Sequence, residues 1–221
     1  MNQSVGTEQP VVTLQRFLGP RPAPQVSESC EFCNAEIMDE HSHVVNISTR
    51  SILCTCRACY LLFTLEGAAQ GKYKAVPQRY VYVSTAVLTD AQWEKFQIPV
   101  GVAFFFLNSL LGRMTALYPG PAGATESMLP LETWDEIVQA NPLLDSLVPD
   151  VEALLVYNMK ERERMECYLV PIDACYELVG HIKRCWKGFD GGQEAWNAIN
   201  DFFTRVRARS AEVETVTGSV S

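Results

Sequence analysis

The chain has no excess of basic charge. Its 221 residues carry 18 lysines and arginines against 26 aspartates and glutamates, a formal net charge of −8 at pH 7. An acidic chain has no field to draw in phosphate backbones, which argues against nucleic acid as a partner. Arg205, Arg207 and Arg209 stand close together, but three arginines make a small patch and suit the C-terminal end of a helix. Long apolar runs are missing too. The longest, Ile98 to Leu111, contains Asn108 and falls short of the roughly 20 residues that span a bilayer, so no membrane span is expected. No charged start followed by a sustained apolar stretch opens the chain, so no secretory signal is read and the expected compartment is the cytoplasm. Nucleophile-elbow, HExxH and dinucleotide-binding patterns are absent. Gly120 to Ser127 is glycine-rich, but Pro121 removes a donor and no Lys-Ser/Thr pair follows, so a structured turn is expected there and not a phosphate loop.

What is present is ordinary in bulk and unusual in one place. At 48% hydrophobic and 20% charged residues, the composition excludes collagen-like, coiled-coil and wholly disordered classes. The length can bury roughly 70% of the unfolded surface in one or two domains. Residues 1–27 carry Pro10, Pro20, Pro22 and Pro24 and read as a mobile arm. Residues 28–66 read as a cysteine-rich metal-binding module, 67–209 as an α+β domain, and 210–221 as a flexible tail. Within the body, strands are expected at Tyr80–Val83, Val100–Phe106, Arg113–Tyr118, Ala153–Tyr157 and Tyr168–Val170. Helices are expected after Thr89, over Leu131–Ala140, and in the C-terminal stretches whose apolar positions Leu178, Val179, Ile182 and then Ile199, Phe202, Val206 recur at helical spacing. Strands and helices mixed without strict alternation favour an α+β fold: a small zinc-ribbon-like module, then a mixed sheet packed with C-terminal helices.

The eight cysteines divide unevenly. Cys30, Cys33, Cys54, Cys56 and Cys59 crowd into one short stretch; Cys167, Cys175 and Cys185 are scattered and read as small buried hydrophobes. Cys30-x-x-Cys33 and Cys56-x-x-Cys59 have the spacing of a two-pair tetrahedral site, in which thiolates i and i+3 converge on one ion. In a reducing compartment such pairs bind metal more often than they form disulfides. A tight turn of this kind needs a residue tolerant of positive φ after the second cysteine; Asn34 suits it and Tyr60 does not. Cys30, Cys33, Cys56 and Cys59 are therefore the expected ligands. Four thiolates suit zinc, and they suit iron equally. Cys54 is read as a spare thiol, for packing or redox use. His41 and His43 are expected to point to opposite faces of a strand, as surface or turn residues unable to serve one ion together. Asp173 is expected to cap a helix. His181 and Cys185, four apart on a helix, are read as packing residues.

Five stretches together suggest a relationship: Cys30-Glu-Phe-Cys33, Leu53-Cys-Thr-Cys-Arg-Ala-Cys59, Gln97-Ile-Pro-Val-Gly-Val-Ala-Phe-Phe-Phe106, Pro121-Ala-Gly-Ala-Thr-Glu-Ser127 and Val170-Pro-Ile-Asp-Ala-Cys-Tyr-Glu-Leu-Val-Gly180. From Ser27 to Arg209 the chain resembles a bacterial family of unknown function encoded in nickel–iron hydrogenase gene clusters of the high-affinity, atmospheric-hydrogen type. The resemblance implies a context: an accessory, maturation or electron-transfer component whose partner is a hydrogenase subunit or maturation protein. The leading expectation is a zinc-holding accessory or assembly factor. The alternative is a rubredoxin-like iron electron carrier. An enzyme using the Tyr118–Ser127 loop and Asp173 is a third reading, with no catalytic motif behind it.

Overall fold

A computed structural model describes residues 28–83, 87–127, 131–159, 164–188 and 191–213. The arm read at 1–27 and the last part of the tail, 214–221, lie outside them. In chain order, β1 (Ser42–Asn46) and β2 (Ser51–Thr55) form a hairpin, α1 (Arg57–Leu61) follows at once, and β3 (Tyr73–Ala75) returns to pair with β1. The body then runs β4 (Val81–Val83), α2 (Asp90–Lys95), β5 (Val102–Asn108), β6 (Arg113–Gly120), β7 (Gly123–Ser127), α3 (Leu131–Ala140), β8 (Glu152–Met159), β9 (Arg164–Pro171), α4 (Ile172–Cys185), α5 (Gly192–Arg209) and β10 (Ala211–Val213). The protein is α+β, with one large mixed sheet, packed helices and the cysteine cluster near its N-terminal end. Among the described residues no helix is long and apolar enough to cross a membrane.

The large sheet has the order β10-β4-β9-β8-β5-β6-β7 and is antiparallel except where β10 joins β4. Its central strands are apolar at almost every position because both faces are covered. Phe104, Leu155, Tyr157 and Tyr168 point to one side, where α4 and α5 bring Cys175, Leu178, Ile182, Phe202 and Phe203. Phe105, Leu154, Val156 and Leu169 point to the other, against Trp93, Phe96, Trp134 and Ile137. Tyr157 stacks on Phe203 and Phe105 on Trp134. The amphipathic periodicity of the two C-terminal helices is thus satisfied by a single sheet face. Thr89 starts α2 as expected: its hydroxyl accepts from the Gln92 N–H, and the Gln92 side chain accepts in turn from the Thr89 N–H, a reciprocal capping box.

Three local expectations change. Gly120 to Ser127 is not a turn alone: β6 continues to Gly120, turns at once and pairs back as β7, with Pro119 opposite Ala124. Pro119 lies beyond the last residue paired to β5, so its missing N–H breaks no ladder bond on that side. Ala211–Val213, in the stretch expected to fray, is held as β10 alongside Val81–Val83. Asp173 is not the cap residue of α4. Pro171 occupies the cap position without a side-chain bond, and Asp173 sits within the first turn, where its Oδ1 accepts the Ala174 N–H.

The small sheet, ordered β2-β1-β3, rests on the body through the same apolar cluster that α4 occupies, to which it adds Val45 and, just past β3, Val76. Tyr60 donates its hydroxyl to the Val76 carbonyl and Lys74 donates to the Pro149 carbonyl. Below this contact the carboxylate of Glu152 is buried and takes both an Nε and an Nη2 bond from Arg79, at 2.9 and 2.8 Å, with a third from the Val148 N–H. Removing one partner of a buried pair strands the other charge, at about 3–5 kcal/mol. Arg79 is itself partly solvated, so Arg79→Ala is expected to cost about 3 kcal/mol in urea unfolding followed by circular dichroism.

Candidate metal centre

The first cysteine pair is built by backbone geometry that its sequence encodes. Cys30 N–H donates to the Ala35 carbonyl and Asn34 N–H to the Cys30 carbonyl, closing a tight turn bridged at Ser29 and Glu36. Asn34 sits at φ 60°, the positive value the turn requires. The turn is clamped to the end of β2: Glu31 N–H donates to the Cys54 carbonyl, and the Glu31 carboxylate accepts from the Cys54 N–H. These two hydrogen bonds bring the chain before the hairpin beside the chain after it.

The second pair is made differently. Cys56 ends the hairpin and caps α1, its sulfur accepting from the Cys59 N–H. Cys59 therefore lies in a helical turn, and Tyr60, being helical, needs no positive φ. Its ring fills a buried site instead. The two C-x-x-C pairs thus share a spacing but not a conformation: one is a turn, the other the start of a short helix.

One sulfur of each of Cys30, Cys33, Cys56 and Cys59 lies within 4.8 Å of the other three. Cys33 and Cys56 sulfurs are 3.7 Å apart. Four sulfurs held at about 2.3 Å from a tetrahedral ion stand about 3.8 Å from one another, so the donor set fits a four-coordinate thiophilic metal. Cys30 is buried and Cys33 exposed. The rings of Phe32, Phe63 and Tyr73 pack with centroids 4.9 to 5.2 Å apart.

The thiols are unequal before any ion binds. Burial would push the Cys30 thiol up, but backbone N–H groups of Cys56, Cys33 and Phe32 all point at its sulfur and outweigh it, holding it at about 6. Cys59 goes the other way, raised to about 12 by burial and by the neighbouring sulfurs of Cys33, Cys56 and Cys30. Cys33 receives the Ala35 N–H, which favours its thiolate, yet the Cys30 and Cys56 sulfurs push it up overall. Four thiolates this close repel one another strongly; a cation at their centre removes the conflict.

The remaining sequence-flagged residues fall in distinct places. Cys167 and Cys175 are buried in the two faces of the core, and burial raises the first to about 12 and the second well above the ordinary thiol value, as suits packing residues. Cys185, expected to be buried with them, is only half-buried, at the end of α4. Arg205 and Arg207 pair with Glu177 and Glu166, and Arg209 lies over the Tyr80 ring. Exposed His181 bridges Glu177 and Arg184 on its own helix. Glu126 pairs with Arg113, Asp173 bonds His43, and Tyr118 packs against the sheet face opposite α4, so these three are not brought together.

His41 and His43 are not on opposite faces. Residues two apart along a strand share a face, and the two imidazole centroids are 4.7 Å apart. Neither is a surface residue, with side chains 9% and 24% exposed. Cys54 faces them across the hairpin, directly opposite His43, and its thiol is raised by burial and by the carboxylates of Glu28 and Glu31. The signal for this was available: placing the hairpin turn after Asn46 sets His43 against Cys54.

A cysteine-clustered hairpin module set against a helix-covered, largely antiparallel sheet is the class that fold and site define. Within it, the chain belongs to the family of unknown function DUF5947, whose model matches residues 29–210. No curated protein and no solved structure matches it.

Two outcomes follow for the four-cysteine cluster. Metal affinity, read by competition with a chromophoric chelator, is expected to rise with pH, because bound thiols must shed protons. Below pH 6 the Cys30 thiol is protonated as well, so each further unit of acid should cost more affinity than above it. Cys30→Ser is expected to weaken binding by more than the roughly 10–100-fold that loss of an outer-shell partner causes.

Proposed function

We propose that the chain is a metal-binding accessory or assembly factor for a nickel–iron hydrogenase, in which Cys30, Cys33, Cys56 and Cys59 hold a structural zinc ion. The observation that carries the metal reading is the convergence of these four sulfurs from two backbone settings on opposite sides of one hairpin. The module has a small apolar core of its own: three packed rings, Val44 and Tyr60, beside the strip it shares with the body. Zinc binding, on the order of 10 kcal/mol or more, would supply the missing folding free energy. A redox-inert ion with all four positions filled by protein suits that task. The resemblance to a family encoded beside hydrogenases supports the partner: a hydrogenase subunit or a maturation protein.

A second reading, a rubredoxin-like iron carrier serving the same hydrogenase, is favoured by one feature. Cys33 is exposed, which would put a ligand sulfur at the surface where an electron enters or leaves. Elemental analysis and a visible spectrum of the purified protein separate the two. Zinc without iron and no colour is the expected result; iron with intense thiolate charge-transfer bands would replace the zinc reading by the iron one. The hydrogenase association is tested by affinity capture of the tagged chain from cells making the enzyme. Hydrogenase or maturation subunits should co-purify with the wild type and be depleted with Cys56→Ser, and their absence from the wild-type capture would reject the association.

A further inference from the structure

Three donors outside the four-cysteine cluster meet on the hairpin. A ring nitrogen of His41, a ring nitrogen of His43 and the sulfur of Cys54 lie within 4.8 Å of one another. The hydrogen bonds fix which nitrogens are available. Nδ1 of His41 is 2.8 Å from the Met38 carbonyl; a carbonyl only accepts, so the proton is on Nδ1 and the lone pair on Nε2. Nδ1 of His43 donates in the same way to the Asp173 carboxylate at 2.7 Å. His41 Nε2 is buried and has no hydrogen-bond partner, on a side chain nine-tenths buried. A buried acceptor without a partner is destabilising, a cost that a cation bound at the lone pair would remove.

We propose that His41, His43 and Cys54 form a second metal site, separate from the four-cysteine cluster, that takes a borderline-soft divalent ion of the zinc class and leaves one coordination position open. Two imidazoles and a thiolate are a donor set for such ions. Ligand atoms around zinc stand about 3.3–3.8 Å apart, so small side-chain rotations close these three on one ion. Asp173 is a positioning residue: it holds the His43 tautomer and ring, as carboxylates do behind metal-bound histidines. The surroundings favour a cation, with the Glu28 carboxylate 3.6 Å from His41 Nδ1 and the Glu31 carboxylate on the Cys54 N–H. Three protein ligands leave a fourth position for water or for a donor atom of an incoming molecule. The four-cysteine cluster offers no such vacancy once filled.

The test is anaerobic cobalt(II) titration of the full-length, metal-stripped protein, followed by visible absorption and by X-ray absorption at the cobalt edge. The wild type is expected to take two equivalents, with a nitrogen shell beside the sulfur shell. Cys54→Ser and His41→Gln should each take one equivalent and keep an all-sulfur spectrum. Asp173→Asn should keep both equivalents and weaken the nitrogen-containing one by about 10–100-fold without altering the all-sulfur one. A wild type that saturates at one all-sulfur equivalent overturns the second site and leaves the four-cysteine reading standing. A wild type that takes one nitrogen-containing equivalent supports the second site and rejects the first. Two equivalents persisting in both Cys54→Ser and His41→Gln, judged folded by circular dichroism, overturn the proposal.

Discussion

The register of β1 against β2 is the constraint on which the N-terminal half of the molecule depends. Asn46 opposite Ser51 forces Val44 opposite Leu53 and His43 opposite Cys54. A slip of one residue would turn every side chain of a strand to its other face. It would carry Cys54 away from the histidines and displace Cys56 from the first cysteine pair. The register is held from both sides. Val44 and Val45 are buried, the second in the core shared with the body, and Thr55, also buried, donates its hydroxyl to the Ser42 carbonyl. Apolar burial on one side and a satisfied buried hydroxyl on the other make the pairing hard to shift.

The hairpin also sets the electrostatics. Its open end gathers four sulfurs, and beside it, where His43 stands opposite Cys54, two imidazoles and a fifth sulfur come together. Around them stand Glu28, Glu31 and Asp173. An acidic rim about clustered thiols is unfavourable to thiolates alone and favourable once a divalent ion is present. The bond from His43 to Asp173, in the first turn of α4, ties this chemistry to the body. The same helix buries Leu178, Val179 and Ile182 in the main core. Core packing on the body therefore fixes the orientation of a side chain in the small module.

The large sheet supplies rigidity for this arrangement. Covering both faces lets β5 and β8 be apolar at almost every position, and the carboxylates left inside are paired: Glu152 with Arg79, Glu166 with Arg207 and with the Tyr168 hydroxyl. Burial together with the Glu166 contact raises the Tyr168 hydroxyl above the ordinary phenol value, so it remains a donor. Paired in this way, the buried carboxylates do not carry the cost of unmatched charge.

Much of this was legible in the sequence. The four clustered cysteines follow from spacing, the turn at Asn34 from its tolerance of positive φ, and the body's helices from apolar positions three and four apart; these are local properties, carried by a few neighbouring residues. The helix at Cys56 was less legible, because five residues are too few to show a period, and β7 was hidden because Gly120 to Ser127 has turn composition while pairing as a strand. The alliance of His41 and His43 with Cys54 was readable from the two-residue repeat of a strand once the hairpin was placed. Asp173 was not. Its place behind His43 joins residues far apart in the chain, and a first-turn aspartate has the same local signature whether it caps its own helix or orients a distant imidazole. The sequence alone determined the kind of chemistry available, since ligand types and their spacing are local. Only the tertiary structure decided which donors share a space, because that depends on how two independently patterned sheets pack on one helix.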